Sequence, residues 1–230
     1  MSRVLPILFN TDMVRAILDG RKTVTRRLVK ASQYTGLGKI EPENKIKEKQ
    51  SYYKEFWEMK NEQFIDFWYD SPYQPGDTIY VRETWQHLWE LDGNKQIIEG
   101  AEKYYYAASD TLPFNTYVDS MGISHENIPW KPSIHMPKEA ARIWLKVTDV
   151  RVERLQECEK GWCLEIEKEG VVTPQDPILY INDDKYHEAL RAEFKKLWNS
   201  TIKKSDLDRY GWDANPWVWR IEFERCEKPE

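Results

Sequence analysis

Cysteine is scarce: three in 230 residues, at positions 158, 163 and 226, with no C-x-x-C pair. That spacing supports neither a disulfide framework nor a zinc knuckle, so the thiols are read as reduced. Long apolar runs are missing as well. Nowhere do roughly eighteen apolar residues follow one another, and the N-terminal run MSRVLPILFN is broken by Pro6 and lacks a small-residue cleavage site. Neither a membrane span nor a secretory leader is indicated, and a cytoplasmic protein is expected. Positive charge is not in excess, with 34 basic against 39 acidic side chains and a net charge of −5. A globally cationic nucleic-acid coat is excluded, so any nucleic-acid contact must be local. The four histidines, His87, His125, His135 and His187, show no ligand spacing, and no Walker loop, dinucleotide fingerprint, H-E-x-x-H site or internal repeat occurs. No metal and no cofactor are expected.

What the chain does have is aromatics, eleven tryptophans and thirteen tyrosines. Such rings serve as core, as interface anchors or as stacking platforms. The length suits one generous domain, taken as residues 1–230 with an insertion at 31–71. Leu5, Ile7 and Phe9 alternate as in a strand; Thr11 then caps a helix whose Met13, Val14, Ile17 and Leu18 form one stripe, and Gly20 ends it. Within the insertion, Tyr53, Trp57, Phe64, Phe67 and Trp68 fall at roughly helical spacing and predict a helix. Pro75-Gly76 fits a type II turn, with Ile79 and Val81 alternating against Tyr80 and Arg82 in the strand beyond. Ile143, Leu145 and Val147 form a second strand whose phase slips to Val150 and Val152. Helices are predicted over Glu157 to Glu169, stopped by Gly170, and over Asp183 to Trp198. Trp217, Trp219, Ile221 and Phe223 alternate with Val218, Arg220, Glu222 and Glu224 in the last strand. Strands outnumber core helices without alternating with them, which argues for α+β: a small mixed or closed β-structure with peripheral helices.

The most polarised stretch is Arg21-Lys22-Thr23-Val24-Thr25-Arg26-Arg27-Leu28-Val29-Lys30, five cations without a carboxylate. One reading is a charged edge strand; the other is a small phosphate site, which the density of uncompensated charge favours.

Strand, capped helix and Gly20, then Arg21-Lys22-Thr23-Val24-Thr25-Arg26, with a Pro-Gly-Asp turn leading into Ile79-Tyr80-Val81-Arg82-Glu83-Thr84-Trp85, resembles the ASCH superfamily. The closing segment Tyr210-Gly211-Trp212-Asp213-Ala214-Asn215-Pro216-Trp217-Val218-Trp219 is similar to that of its larger phage and prophage members. The resemblance implies a PUA-like mixed β-barrel and an RNA or modified-nucleotide partner. Small members of that family hydrolyse the acetyl amide of N4-acetylcytidine with a Lys, a Thr and a Glu. By position these are Lys22, Thr25 and Glu169. The regions 31–71 and 90–135 have no counterpart in those small enzymes. The residues that would contact nucleic acid are Arg21, Lys22, Thr23, Arg26, Arg27, Arg82, Tyr210, Trp212 and Asn215, the loop aromatics being expected on the surface.

The chemistry fits the residue types. Amide cleavage wants an activated nucleophile, a base of lowered pKa and an acid for the leaving amine. Arg21, Arg26 and Arg27 would disfavour the ammonium form of Lys22, and Cys158, Trp162, Ile166 and Glu169 share one predicted helical face. In a regular strand, however, Lys22 and Thr25 point to opposite faces, so a turn or bulge is required between them. The expected function is a binding module for RNA or a modified nucleotide, which needs only the basic segment and a groove with aromatics. The alternatives are an amidohydrolase on N4-acylcytidine and a structural or interaction part of a phage particle that docks through the aromatic segment at 53–68.

Overall fold

The computed structural model describes residues 3–29, 53–60, 63–92, 94, 96–113, 116–118, 123–159, 164–172 and 183–229. The strands are β1 (Val4–Leu8), β2 (Val24–Leu28), β3 (Tyr53–Lys60), β4 (Gln63–Asp70), β5 (Thr78–Arg82), β6 (Trp85–Leu91), β7 (Ile97–Tyr106), β8 (Thr116–Val118), β9 (Ser124–Glu126), β10 (Trp144–Arg154) and β11 (Trp217–Cys226). The helices are α1 (Thr11–Leu18), α2 (Leu164–Glu167), α3 (Asp183–Ser200) and α4 (Leu207–Tyr210). This is an α+β structure whose described strands form open sheets. Among the described residues no helix is long and apolar enough to cross a membrane. The chain forms two compact units, one of Met1–Gly20, Thr78–Leu145 and Arg225–Glu230, the other of Arg21–Asp77 and Lys146–Glu224.

In the first unit β1 runs parallel to β5, with Val4 opposite Thr78 and Leu8 opposite Arg82. Helix α1 buries Val14, Ala16 and Ile17. Its N-cap is Asn10 rather than Thr11: the Asn10 Oδ1 accepts from the Met13 amide at 2.9 Å, which satisfies one of the orphan donors of the first turn. Gly20 ends the helix at φ +75, where an L side chain would be strained. Strands β6 and β7 pair antiparallel from Trp85↔Tyr106 inward, with a register shift between Trp89 and Leu91. Tyr80, Trp85, Met136, Ala140, Ala141 and Trp144 form the core of this unit. Beside it the fully buried Glu83 carboxylate takes both Nε and Nη2 of Arg142 at 2.9 Å. The Arg142 guanidinium also lies 4.0 Å from the Tyr106 ring centroid. Burial pushes the Tyr106 phenol up to about 12.

In the second unit the strand order is β10-β11-β2, with β2 antiparallel to β11. The 53–68 segment is not a helix. Tyr53–Lys60 and Gln63–Asp70 are two antiparallel strands in register from Tyr53↔Asp70 to Lys60↔Gln63. The rest of the insertion, 30–52 and 61–62, lies outside the described residues. Pro75-Gly76 makes the expected turn: Gly76 has φ +90 and the Asp77 amide donates to the Gln74 carbonyl at 3.0 Å. The core joins Leu155, Ile166, Leu190, Phe194, Trp198, Trp212 and Val218, three of them supplied by the stripe on α3. Of the helix expected over Glu157 to Glu169, the described residues show a 3-10 turn at Leu155–Glu159 and helix α2, while 160–163 lie outside the described residues. Glu169 therefore sits in the turn beyond α2 instead of on its last turn. Its amide donates to the Ile166 carbonyl at 3.0 Å, and Gly170 follows at φ +79.

Candidate functional site

The basic segment enters β2 through an irregularity. The amides of Thr23 and Val24 both donate to the Lys168 carbonyl, at 2.9 and 3.0 Å. Two successive N–H groups on one acceptor are the signature of a β-bulge, which interrupts the alternation of side chains between Lys22 and Thr25. Lys22 itself makes an isolated antiparallel bridge with Glu169.

The bridge brings the two side chains together. Lys22 Nζ lies 2.7 Å from Glu169 Oε2, and both side chains are almost fully enclosed. The ammonium also donates to the Val24 carbonyl at 2.8 Å and to the Glu169 carbonyl at 3.0 Å. Its three protons are thereby accounted for. The Val24 carbonyl belongs to the peptide that begins Thr25, which puts the Thr25 Cα within about 6 Å of Nζ on standard peptide dimensions. Thr25 is buried too.

Arg26 takes the other side of the carboxylate. Its Nη1 donates to Glu169 Oε1 at 2.9 Å, and its Nε donates to Glu153 Oε1 at 2.8 Å. Arg220 lies directly opposite Arg26 across the β2–β11 pair. Like charges so placed repel, and carboxylates answer them. Arg220 meets Glu165 at 2.7 Å through Nε and Glu222 at 2.8 Å through Nη1, while Glu165 stands 3.7 Å from Arg26. Arg151 adds a contact to Glu153 at 3.1 Å, and Lys168 one to Glu165 at 3.0 Å.

The run of cations without acids is thus compensated through space. Carboxylates more than a hundred residues downstream neutralise Lys22 and Arg26, and neither faces solvent as a phosphate ligand would. Lys22 has its pKa lowered chiefly by burial; the Glu169 charge and hydrogen bond oppose this, and Arg27 and Arg26 contribute last. Of the neighbouring cations expected to disfavour the ammonium form, Arg27 and Arg26 do so, but as the smallest of the causes. Burial also lowers Arg27, against the pull of Tyr73 and Glu169, and raises the Tyr73 phenol, which Arg27 partly offsets. For Glu165 burial would raise the pKa, but Arg220 and Lys168 outweigh it and hold the carboxyl at about 2.

The remaining candidates are dispersed. Arg21 is exposed and donates to the Gly170 carbonyl at 2.8 Å. Thr23 is half-buried, and its carbonyl accepts from the Phe223 amide at 2.9 Å. Arg82 belongs to the first unit, where its guanidinium stands 5.7 Å from the Tyr80 ring. Trp212 is not an exposed ring: it is core, edge-on to Phe194 at 5.6 Å. Tyr210 is half-buried, its carbonyl accepting from Trp198 Nε1 at 2.9 Å. Asn215 is structural, in a left-handed conformation with its Oδ1 accepting from the Gln156 amide at 2.9 Å. Lys30 and Trp162 lie outside the described residues. Among the described residues no group of three or more His, Cys, Asp or Glu is placed to hold a metal.

Glu153, Glu165 and Arg220 escape a reading of the sequence. One signal was available: Val218 shares the nominally polar face of β11 with Arg220, and a valine there marks that face as covered. No protein-family model, no curated protein and no solved structure matches the chain.

Proposed function

We propose that the chain is a nucleoside- or nucleotide-directed amidohydrolase of the ASCH kind, acting in the cytoplasm, which removes an acyl group from N4-acylated cytidine at Lys22, Thr25 and Glu169. The observation that carries this reading is the enclosed 2.7 Å contact between Lys22 and Glu169 beside Thr25. A buried ion pair is a poor device for stability, since desolvation offsets most of the attraction, whereas it suits a site that must move a proton. One proton passed from Lys22 to Glu169 along their hydrogen bond leaves a neutral amine and a neutral carboxyl, one base and one acid. The amine then takes the Thr25 hydroxyl proton as the oxygen attacks the acyl carbonyl, and the carboxyl protonates the departing N4 amine. Water reverses the roles to release the acid. The order of elements, β1-α1-β2 with a Pro-Gly turn before β5 and a bulged entry to the site, supports a PUA-like barrel as the finer fold.

Recognition of RNA or a modified nucleotide without turnover is the second reading. It is favoured by the complete engagement of the Lys22 ammonium with three acceptors. Incubation with N4-acetylcytidine, followed by mass spectrometry, separates the two. Release of cytidine and acetate is expected from the native chain and is lost in Lys22→Ala. Retention of the intact nucleoside without cleavage assigns the same residues to recognition, and neither binding nor cleavage refutes both.

A further inference from the structure

The Lys22–Glu169 pair has a third member. Glu169 carries one cation on each oxygen, Lys22 on Oε2 at 2.7 Å and Arg26 on Oε1 at 2.9 Å. Arg26 is itself fixed from behind: Glu153 meets its Nη2 at 2.7 Å and its Nε at 2.8 Å. A planar guanidinium held on two edges cannot swing away, so its charge is permanently aimed at Oε1. Lys22, in contrast, can give up its charge.

We propose that Arg26 is a positioning residue that decides where the mobile proton of the pair rests, by stabilising the Glu169 carboxylate from the side opposite Lys22. The proposal rests on the hydrolase reading of Lys22, Thr25 and Glu169. The step it governs is Lys22–NH3+ with Glu169–COO− giving Lys22–NH2 with Glu169–COOH; one N–H bond breaks, one O–H bond forms, and the net charge of the pair is unchanged. Arg26 is nearer the carboxylate than a distant charge could be, so it holds the pair in the ionic form until an acyl group arrives that uses the amine. Of the remaining charged groups, Arg27 interacts with Lys22, Glu169 and Tyr73 through charge, while Glu153 and Glu165 meet Arg26 from behind and are themselves contacted by Arg151, Lys168 and Arg220, the last also held by Glu222. Arg26 bonds directly to the Glu169 carboxylate, on the oxygen that Lys22 does not take.

The sign of the effect follows from charge. Removing a cation raises the pKa of the adjacent carboxyl, and relieving repulsion raises that of the lysine. The acid limb of the pH–rate curve for N4-acetylcytidine should therefore move upward in Arg26→Gln, with a smaller upward move of the basic limb, while Arg26→Lys stays close to the native curve. Because Arg26→Gln removes one of the two arginines that Glu153 bonds, the double variant Arg26→Gln/Glu153→Gln provides a folded alternative. The Glu169 side-chain carboxyl, labelled with carbon-13 and assigned through Glu169→Gln, gives a readout that needs no turnover. Its midpoint should rise in the Gln variants and not in Arg26→Lys. If that midpoint moves while no form of the protein cleaves N4-acetylcytidine, the positioning role stands and the hydrolase reading falls. An unmoved midpoint in both Gln variants overturns the proposal.

Discussion

A carboxylate removed from water is tolerated only while its counter-charge stays bonded to it, and Glu83 meets that condition through a single residue. Arg142 supplies both of its hydrogen bonds, at 2.9 Å each, with Ser109 holding the third edge of the guanidinium at 2.8 Å. Arg142→Leu would leave the packing over Tyr106 partly filled but the charge of Glu83 uncompensated. A loss of about 3–5 kcal/mol is expected on chemical denaturation. Arg142→Leu combined with Glu83→Leu should recover most of it, since replacing both partners of a buried pair removes the stranded charge. The same logic explains why single residues of the second unit resisted reading from sequence. Lys22 and Arg26 look uncompensated when neighbours along the chain are counted, because their partners Glu169 and Glu153 are 147 and 127 residues away. Charge balance is a property of space, and local sequence windows carry none of it.

Elements fared according to how much of their signal is local. Helix α1, the Pro75-Gly76 turn, the stripe of α3 and the alternation of β11 were legible, because a cap, a positive-φ glycine and a period each act within a few residues. The β3–β4 pair was misread as a helix. Its aromatics fall at spacings compatible with either period, and the choice is made by cross-strand pairing such as Phe56 opposite Phe67, which no single strand displays. Near α2, Gly170 marks the end correctly, but nothing local distinguishes an α-helical start at Glu157 from the 3-10 turn found at Leu155–Glu159. A sharper test at this scale is Gly211, between α4 and the 3-10 turn that carries Trp212. Its φ of −68 suits any residue, but a Cβ there would meet the Leu207 carbonyl oxygen at 2.5 Å. Since backbone cannot yield as a side-chain tip does, Gly211→Ala should destabilise by about 1–3 kcal/mol, visible as a lowered urea midpoint with an unchanged slope. An unchanged midpoint would mean that α4 shifts freely.

For the whole molecule, the α+β class was legible and the division into two compact units was not, since each unit is assembled from separated stretches of chain. The electrostatic consequence is measurable. Of the five cations in the basic run, Lys22 and Arg26 are internally neutralised, so at most three of the five can meet a phosphate. Single-stranded RNA should then bind with a log–log salt slope no steeper than about 2, at about 0.7 per contact. Fluorescence anisotropy across a salt series measures it, and a slope near 3.5, roughly what five engaged cations would give, would show that the buried pair opens outward on binding.

The bulged entry to β2 also has a consequence in time. Lys168 supplies the carbonyl on which Thr23 and Val24 both close, and Glu169 supplies the charge for Lys22. A ribosome adding 5–20 residues each second needs roughly 7–30 seconds to travel from the one partner to the other, the separation being 147 residues. Through that interval Lys22 has no partner to draw it out of water, and β2 has no anchor at its start. The site is therefore among the last parts of the chain to be assembled during synthesis, and a nascent chain halted before Lys168 presents a basic, solvated arm where the finished protein has an interior.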